Sequence, residues 1–107
     1  MTPTERTLKL LRERNWHYAK CEFWNPWSHI RQDLFGLFDY IALDDRQGVV
    51  GVQISSYGDI KKHITKMTAN PILQEWTNRG NRALVIGWRQ PILEGKKQKW
   101  EPKEVYL

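Results

Sequence analysis

Two short apolar runs constrain this chain more than any other feature. Val49-Val50-Gly51-Val52-Gln53-Ile54-Ser55 and Arg82-Ala83-Leu84-Val85-Ile86-Gly87-Trp88 are rich in β-branched residues and too short for core helices, so each reads as a strand. Between them Asp59 stands where a helix cap belongs, and Ile60, Ile64 and Met67 follow at helical spacing to about Thr68. Asn70-Pro71 stops that helix and starts another, with Ile72, Leu73 and Trp76 apolar and Gly80 as the stop signal. Two strands joined through a helix in this way run parallel, by a right-handed crossover.

The rest of the chain hangs on that unit. Thr2 as N-cap, Pro3 at the first helical position and Glu5 at the third make a capping box, so a helix is expected over roughly residues 3–14 with one buried leucine stripe. Trp16 to Trp24 reads as a strand ended by Asn25-Pro26, and Trp27 to Gln32 as a loop. Leu34 to Leu43 is strongly apolar and reads as a strand. The turn Asp44-Asp45-Arg46-Gln47-Gly48 joins it to the Val49 run in a hairpin. Near the C-terminus Glu94-Gly95-Lys96-Lys97 turns the chain into a last strand, Trp100 to Tyr106. The order α-β-β-β-α-(α)-β-β specifies a mixed central β-sheet flanked by helices, in the α/β (α+β) class. Residues 1–107 form one domain.

Composition narrows the setting. Lys and Arg number 17 against 12 Asp and Glu, a net charge of +5, and six of the 107 residues are tryptophan. Basic plus aromatic is the composition of a nucleic-acid binder, although a small domain also uses Trp as core filler. No apolar run reaches the roughly 18–20 residues that span a bilayer, so no membrane partner is expected. The lone Cys21 excludes an intramolecular disulfide, and no Cys/His set has zinc spacing. A reduced, cytoplasmic setting follows.

The chemistry starts from Asp39, an acid inside Leu37-Phe38-Asp39-Tyr40-Ile41. A buried carboxylate needs a cation, a metal or a ring of donors. Gln53 lies in the same kind of apolar setting on the facing strand, and its amide oxygen is a hard-metal ligand. Asp33 precedes Asp39 by six residues. Two carboxylates and an amide oxygen from adjacent strands suit Mg²⁺, with Mn²⁺ as a substitute, for phosphodiester hydrolysis. The bland alternative is an Asp39 that merely binds local amides.

With those residues in their strand order, the sequence resembles the PD-(D/E)XK nuclease superfamily, the restriction-endonuclease-like fold shared with archaeal-type Holliday junction resolvases. The run Arg31-Gln32-Asp33-Leu34-Phe35-Gly36-Leu37-Phe38-Asp39 also resembles small phage-encoded members. The resemblance covers roughly residues 4–88. It implies that Asp39 and Gln53 hold Mg²⁺, Gln being a known variant of the third-strand acid, with Glu5 as the matching acid of the first helix. It implies a nuclease acting on DNA rather than RNA, branched DNA included, in a bacterial or phage-infected cell. Because resolvases of this fold are dimers, it also implies a homodimer.

One position departs from the pattern. Ser55 stands where the superfamily has its lysine, in Gln53-Ile54-Ser55, and a serine offers no cation to the reacting phosphate. Either the cation has migrated, to Lys62 or Lys66 on the following helix, or catalysis is lost and a catalytically impaired fold binds nucleic acid or a host protein. The alternative for those lysines is a solvated helix face. Trp24, Trp27, His29 and Arg31 lead into Asp33 and are candidates for stacking bases and holding phosphates, or else pack as a loop closing the sheet. Arg89, Lys96 and Lys97 add candidate phosphate contacts.

Overall fold

The computed structural model describes residues 1–46 and 48–107. Its elements run α1 (Pro3–Glu13), β1 (His17–Lys20), β2 (Phe23–Asn25), β3 (Ile30–Gln32), β4 (Tyr40–Asp44), β5 (Gly48–Ser56), a 3-10 turn (Tyr57–Asp59), α2 (Ile60–Thr68), α3 (Pro71–Asn78), β6 (Arg82–Arg89), β7 (Ile92–Leu93), β8 (Lys96–Lys97) and β9 (Glu101–Tyr106). Five strands form a mixed sheet in the order β1-β4-β5-β6-β9. The β1–β4, β4–β5 and β6–β9 pairs are antiparallel, and β5–β6 is parallel, Gln53 lying opposite Val85. The fold is therefore α+β, with the expected parallel crossover through α2 and α3 and the expected β4–β5 hairpin. Gln47, within the turn read between those strands, lies outside the described residues.

Alternation along β5 and β6 builds a core on each face of the sheet. Val50, Val52, Leu84, Ile86 and Trp88 meet Leu11 of α1 on one face. Ala83 and Val85 meet Ile60 and Met67 of α2 and Leu73 and Trp76 of α3 on the other, with Leu37 and Phe38 packed among them. Both strands are covered on both faces, which is why they read as near-continuous apolar runs. Two strand glycines are required by close approach on the α2/α3 face. A Cβ at Gly51 would lie 2.5 Å from the Phe38 ring, and one at Gly87 would lie 2.5 Å from the Ile60 side chain.

The caps explain where the helices start. The Glu5 N–H donates to Thr2 Oγ1 at 3.1 Å and the Thr2 N–H to Glu5 Oε2 at 2.9 Å, closing the capping box. Asn70 Oδ1 accepts from the Ile72 N–H at 3.0 Å, and its amide nitrogen donates to the Phe35 carbonyl at 3.0 Å, tying α3 to the segment before β4. Asp59 makes no side-chain cap. The 3-10 turn it closes runs straight into α2, and Asp59 already has right-handed helical backbone angles.

The segment from Trp16 to Leu43 departs from expectation. The strand read over Trp16–Trp24 is two strands, because the Cys21 N–H donates to the Asp39 carbonyl at 2.8 Å while the chain beyond it leaves the sheet. That outgoing strand, β2, pairs with β3, which occupies the second half of the stretch read as a loop. Only the last part of Leu34–Leu43 is strand. Residues 34–38 form a tight turn, with Phe35 and Gly36 at φ 59° and 70° and with mutual backbone bonds between Leu34 and Phe38. Leu37 and Phe38 are apolar because the turn is buried against α2 and α3, not because the chain is extended there. The last strand begins at Glu101, and β7–β8 forms a small separate ribbon. No helix among the described residues is long and apolar enough to cross a membrane.

Candidate functional site

Asp39 immediately precedes β4 and continues its register opposite Gln53 of β5. Its backbone is fixed on both sides: its N–H donates to the Val52 carbonyl at 2.9 Å and its carbonyl accepts from Cys21 at 2.8 Å. Its side chain falls on the α2/α3 face, as do Gly51, Gln53 and Ser55 of β5. Oδ2 accepts two hydrogen bonds there, from Gln53 Nε2 at 3.0 Å and from the Ile54 N–H at 3.2 Å. Burial pushes the carboxyl up to about 6, the Ile54 N–H offsets part of that, and the like charges of Glu22 and Asp33 add to it.

The two residues singled out on sequence thus meet, but through the other end of the amide. Gln53 presents nitrogen rather than oxygen to Asp39, and the same nitrogen donates to the Ile54 carbonyl at 3.1 Å. Gln53 Oε1 and Asp39 Oδ1 accept no hydrogen bond from the described residues, and no buried polar side-chain atom among them lacks a partner, so both oxygens reach solvent. A carboxylate oxygen and an amide oxygen on two hydrogen-bonded residues, with the Asp33 and Glu22 carboxylates within electrostatic reach, are donors of the type that a divalent cation such as Mg²⁺ takes. No group of three or more His, Cys, Asp or Glu side chains among the described residues gathers as a ready-made metal cage. Any cation there would be held by Asp39 and Gln53 first.

Asp33 is half-buried and lines a cleft with Phe23, Arg31, Gln32 and Gly36, of about 450 Å³. Glu22 is the acid that sequence reasoning missed. It pairs with Arg31 at 2.8 Å across the β2–β3 ribbon, and its like charge helps to raise the pKa of Asp39. Its signal was present, an acid between Cys21 and Phe23 in a largely apolar stretch, but β3 was needed to see its partner.

Other expected participants stand elsewhere. The Ser55 hydroxyl donates to the Ser56 carbonyl at 2.6 Å and is buried. Glu5 is occupied by the capping box of α1, across the sheet from Asp39. Lys62 and Lys66 are exposed on the side of α2 turned from the Ile60, Ile64 and Met67 stripe, and neither bonds Asp39 or Gln53. The helix spacing that puts them on one face puts that face in solvent. Neither lysine supplies a cation to Asp39 or Gln53.

The aromatic and basic residues divide in the same way. Trp24 and Trp27 project from the β2–β3 ribbon, Trp27 being 92% exposed, so they do not close the sheet as a packed loop. The Asn25 carboxamide oxygen accepts from the Trp27 and Ser28 amides, and His29, at φ 55°, lies with its ring 6.2 Å from Trp24. Arg31 is neutralised by Glu22, and Arg89 by Glu101 at 2.7 Å. Lys96 and Lys97 are exposed on β8. Trp88 is core, its indole N–H donating to Thr7 Oγ1 at 2.8 Å. Compared with family models, with curated proteins and with solved structures, the chain matches none of them.

Proposed function

We propose that the chain is a metal-dependent nuclease of the PD-(D/E)XK type, hydrolysing phosphodiester bonds in DNA, branched DNA included. The observation that carries this reading is the contact of Asp39 with Gln53 at 3.0 Å. It joins the start of the second sheet strand to the third, the two positions where that superfamily keeps its metal ligands. The strand order supports the same reading: a helix, an antiparallel three-strand meander β1-β4-β5, a helical crossover, and a parallel fourth strand. Asp39 and Gln53 would hold Mg²⁺ or Mn²⁺, with Asp33 beside them. The bound ion supplies an activated water and neutralises phosphate charge. Asp39 would hold its ionised form once a cation faces it, since the causes that raise its pKa are burial and like charge. A cellular, cytoplasmic enzyme that dimerises on its substrate belongs to the same proposal.

The test is nicking of plasmid, flap and four-way-junction DNA with Mg²⁺ or Mn²⁺. Cleavage by the wild type that disappears in Asp39→Asn supports the reading. Cleavage surviving in that variant sinks the site assignment.

A second reading has its own observation. The Ser55 hydroxyl is turned to a backbone carbonyl and Lys62 and Lys66 face solvent, so none of the three supplies the cation of the motif. On this reading the fold binds nucleic acid, or a host protein, without cutting. Metal-independent DNA binding with no cleavage of any substrate would favour it.

A further inference from the structure

Three of the arginines are held by carboxylates, whereas a group of basic residues on the face of the sheet opposite Asp39 is not. Arg31 and Arg89 are held by Glu22 and Glu101, and Arg14 by Glu104. Arg6, Lys9 and Lys99 have no acidic partner at ion-pair distance among the described residues. These three converge on an open cleft of about 510 Å³ between α1 and the segment leading into β9. Glu13 is the one carboxylate on its wall, so the cleft is net positive. The Arg6 guanidinium lies 3.9 Å from the centre of the Trp100 ring, and it donates to the Met1 carbonyl. Trp100 remains 43% exposed with that face covered. Trp88 also lines the cleft, buried and with its N–H already committed to Thr7.

An exposed indole braced by a guanidinium, with two unpaired ammonium groups beside it, is an arrangement for a stacked base and its flanking phosphates. We infer that this cleft binds a single-stranded nucleic-acid segment, one base stacking at Trp100 while Lys9 and Lys99 hold the backbone phosphates. A paired base in a duplex has no free face to offer the indole, so the site selects unpaired strands. The inference does not depend on the nuclease reading, because no residue of the cleft belongs to the Asp39 site.

Fluorescence anisotropy of a labelled short oligothymidylate, without metal, tests it. Wild-type protein should bind it more tightly than the matching duplex. Trp100→Ala should weaken binding about tenfold. The double variant Lys9→Ala/Lys99→Ala should weaken it by a similar factor at low salt and lower the salt slope by about 0.7 per cation removed. Lys20→Ala/Arg46→Ala, which removes the same charge elsewhere, should bind as the wild type does. Thermal melts of these surface variants check that each is folded. Asp39→Asn should bind undiminished even if it no longer cuts, which separates this inference from the nuclease reading. Unchanged affinity in Trp100→Ala and Lys9→Ala/Lys99→Ala would overturn it. So would equal loss in the Lys20→Ala/Arg46→Ala control, equal affinity for duplex, or equal competition by polyglutamate.

Discussion

A side-chain to side-chain polar pair sits on each face of the sheet, and the two pairs obey different rules. On the α1 face the Trp88 indole N–H meets Thr7 Oγ1 at 2.8 Å, and the Thr7 hydroxyl in turn donates to the Pro3 carbonyl at 2.8 Å. Donor and acceptor are neutral, every proton has a place, and Thr7 is fully buried. On the α2/α3 face Asp39 meets Gln53 at 3.0 Å, but the acceptor is a carboxylate whose ionisation burial opposes. The first pair locks a helix onto a sheet. The second costs stability whenever it is charged, and a fold that merely needed a filled position there would be served better by an amide. That difference makes Asp39, unlike Thr7, a residue whose contribution to stability depends on its charge.

Four substitutions break or sharpen that contrast. The largest effect belongs to Gly51→Ala. Its new methyl group would stand 2.5 Å from the Phe38 ring, and displacing that ring should cost about 3 kcal/mol. Phe38 directly precedes Asp39, so the urea midpoint should fall and the Asp39–Gln53 contact should loosen together. Thr7→Val comes next. It keeps the shape but strands the Trp88 N–H, which should cost about 2 kcal/mol in chemical denaturation. Asp39→Asn should act in the opposite direction. The folded carboxyl titrates near 6 against 3.8 when unperturbed, so the protonated form favours folding. Its contribution is complete below about pH 4 and is lost as pH rises through about 6. Above that pH the Asn variant should therefore be the more stable by about 1 kcal/mol, after allowing for solvent screening of a half-buried group. Below pH 4 the two should converge, and thermal melts across that range decide it. The smallest effect is expected for Trp27→Ala. A side chain 92% exposed contributes to neither core, and stability should stay within about 0.5 kcal/mol.

How far the sequence could be read depended on whether neighbours in space were neighbours in the chain. The capping box of α1 and the Asn70-Pro71 helix start are local, and both stand where their residues put them. The parallel β5–β6 pair follows from a helix lying between two strands. Asp39 and Gln53 were legible as partners because a hairpin aligns the segments that carry them. Residues 34–38 were misread because apolar composition reports burial without reporting extension, and only the backbone at Phe35 and Gly36 separates the two. Glu22 stayed hidden because its partner Arg31 depends on the β2–β3 register. The direction of the Gln53 amide was not legible at all. It follows from a hydrogen bond to the Ile54 carbonyl that no residue pattern encodes. Whether a lysine faces the site or solvent turns on the angle at which α2 lies over the sheet, and that too is set by Ile60, Ile64 and Met67 rather than by the lysines.

The strand order has a consequence for how this sheet meets other chains. A five-stranded open sheet has two edges, β1 and β9. β9 carries Pro102, which has no N–H to offer a sixth strand, and beside it Lys103, whose charge disfavours close stacking of a neighbour. That side is blunted against templated growth. β1 has no proline, but it is only four residues long and includes Lys20. Pairing of another chain's backbone onto this five-stranded sheet is therefore left to one short edge.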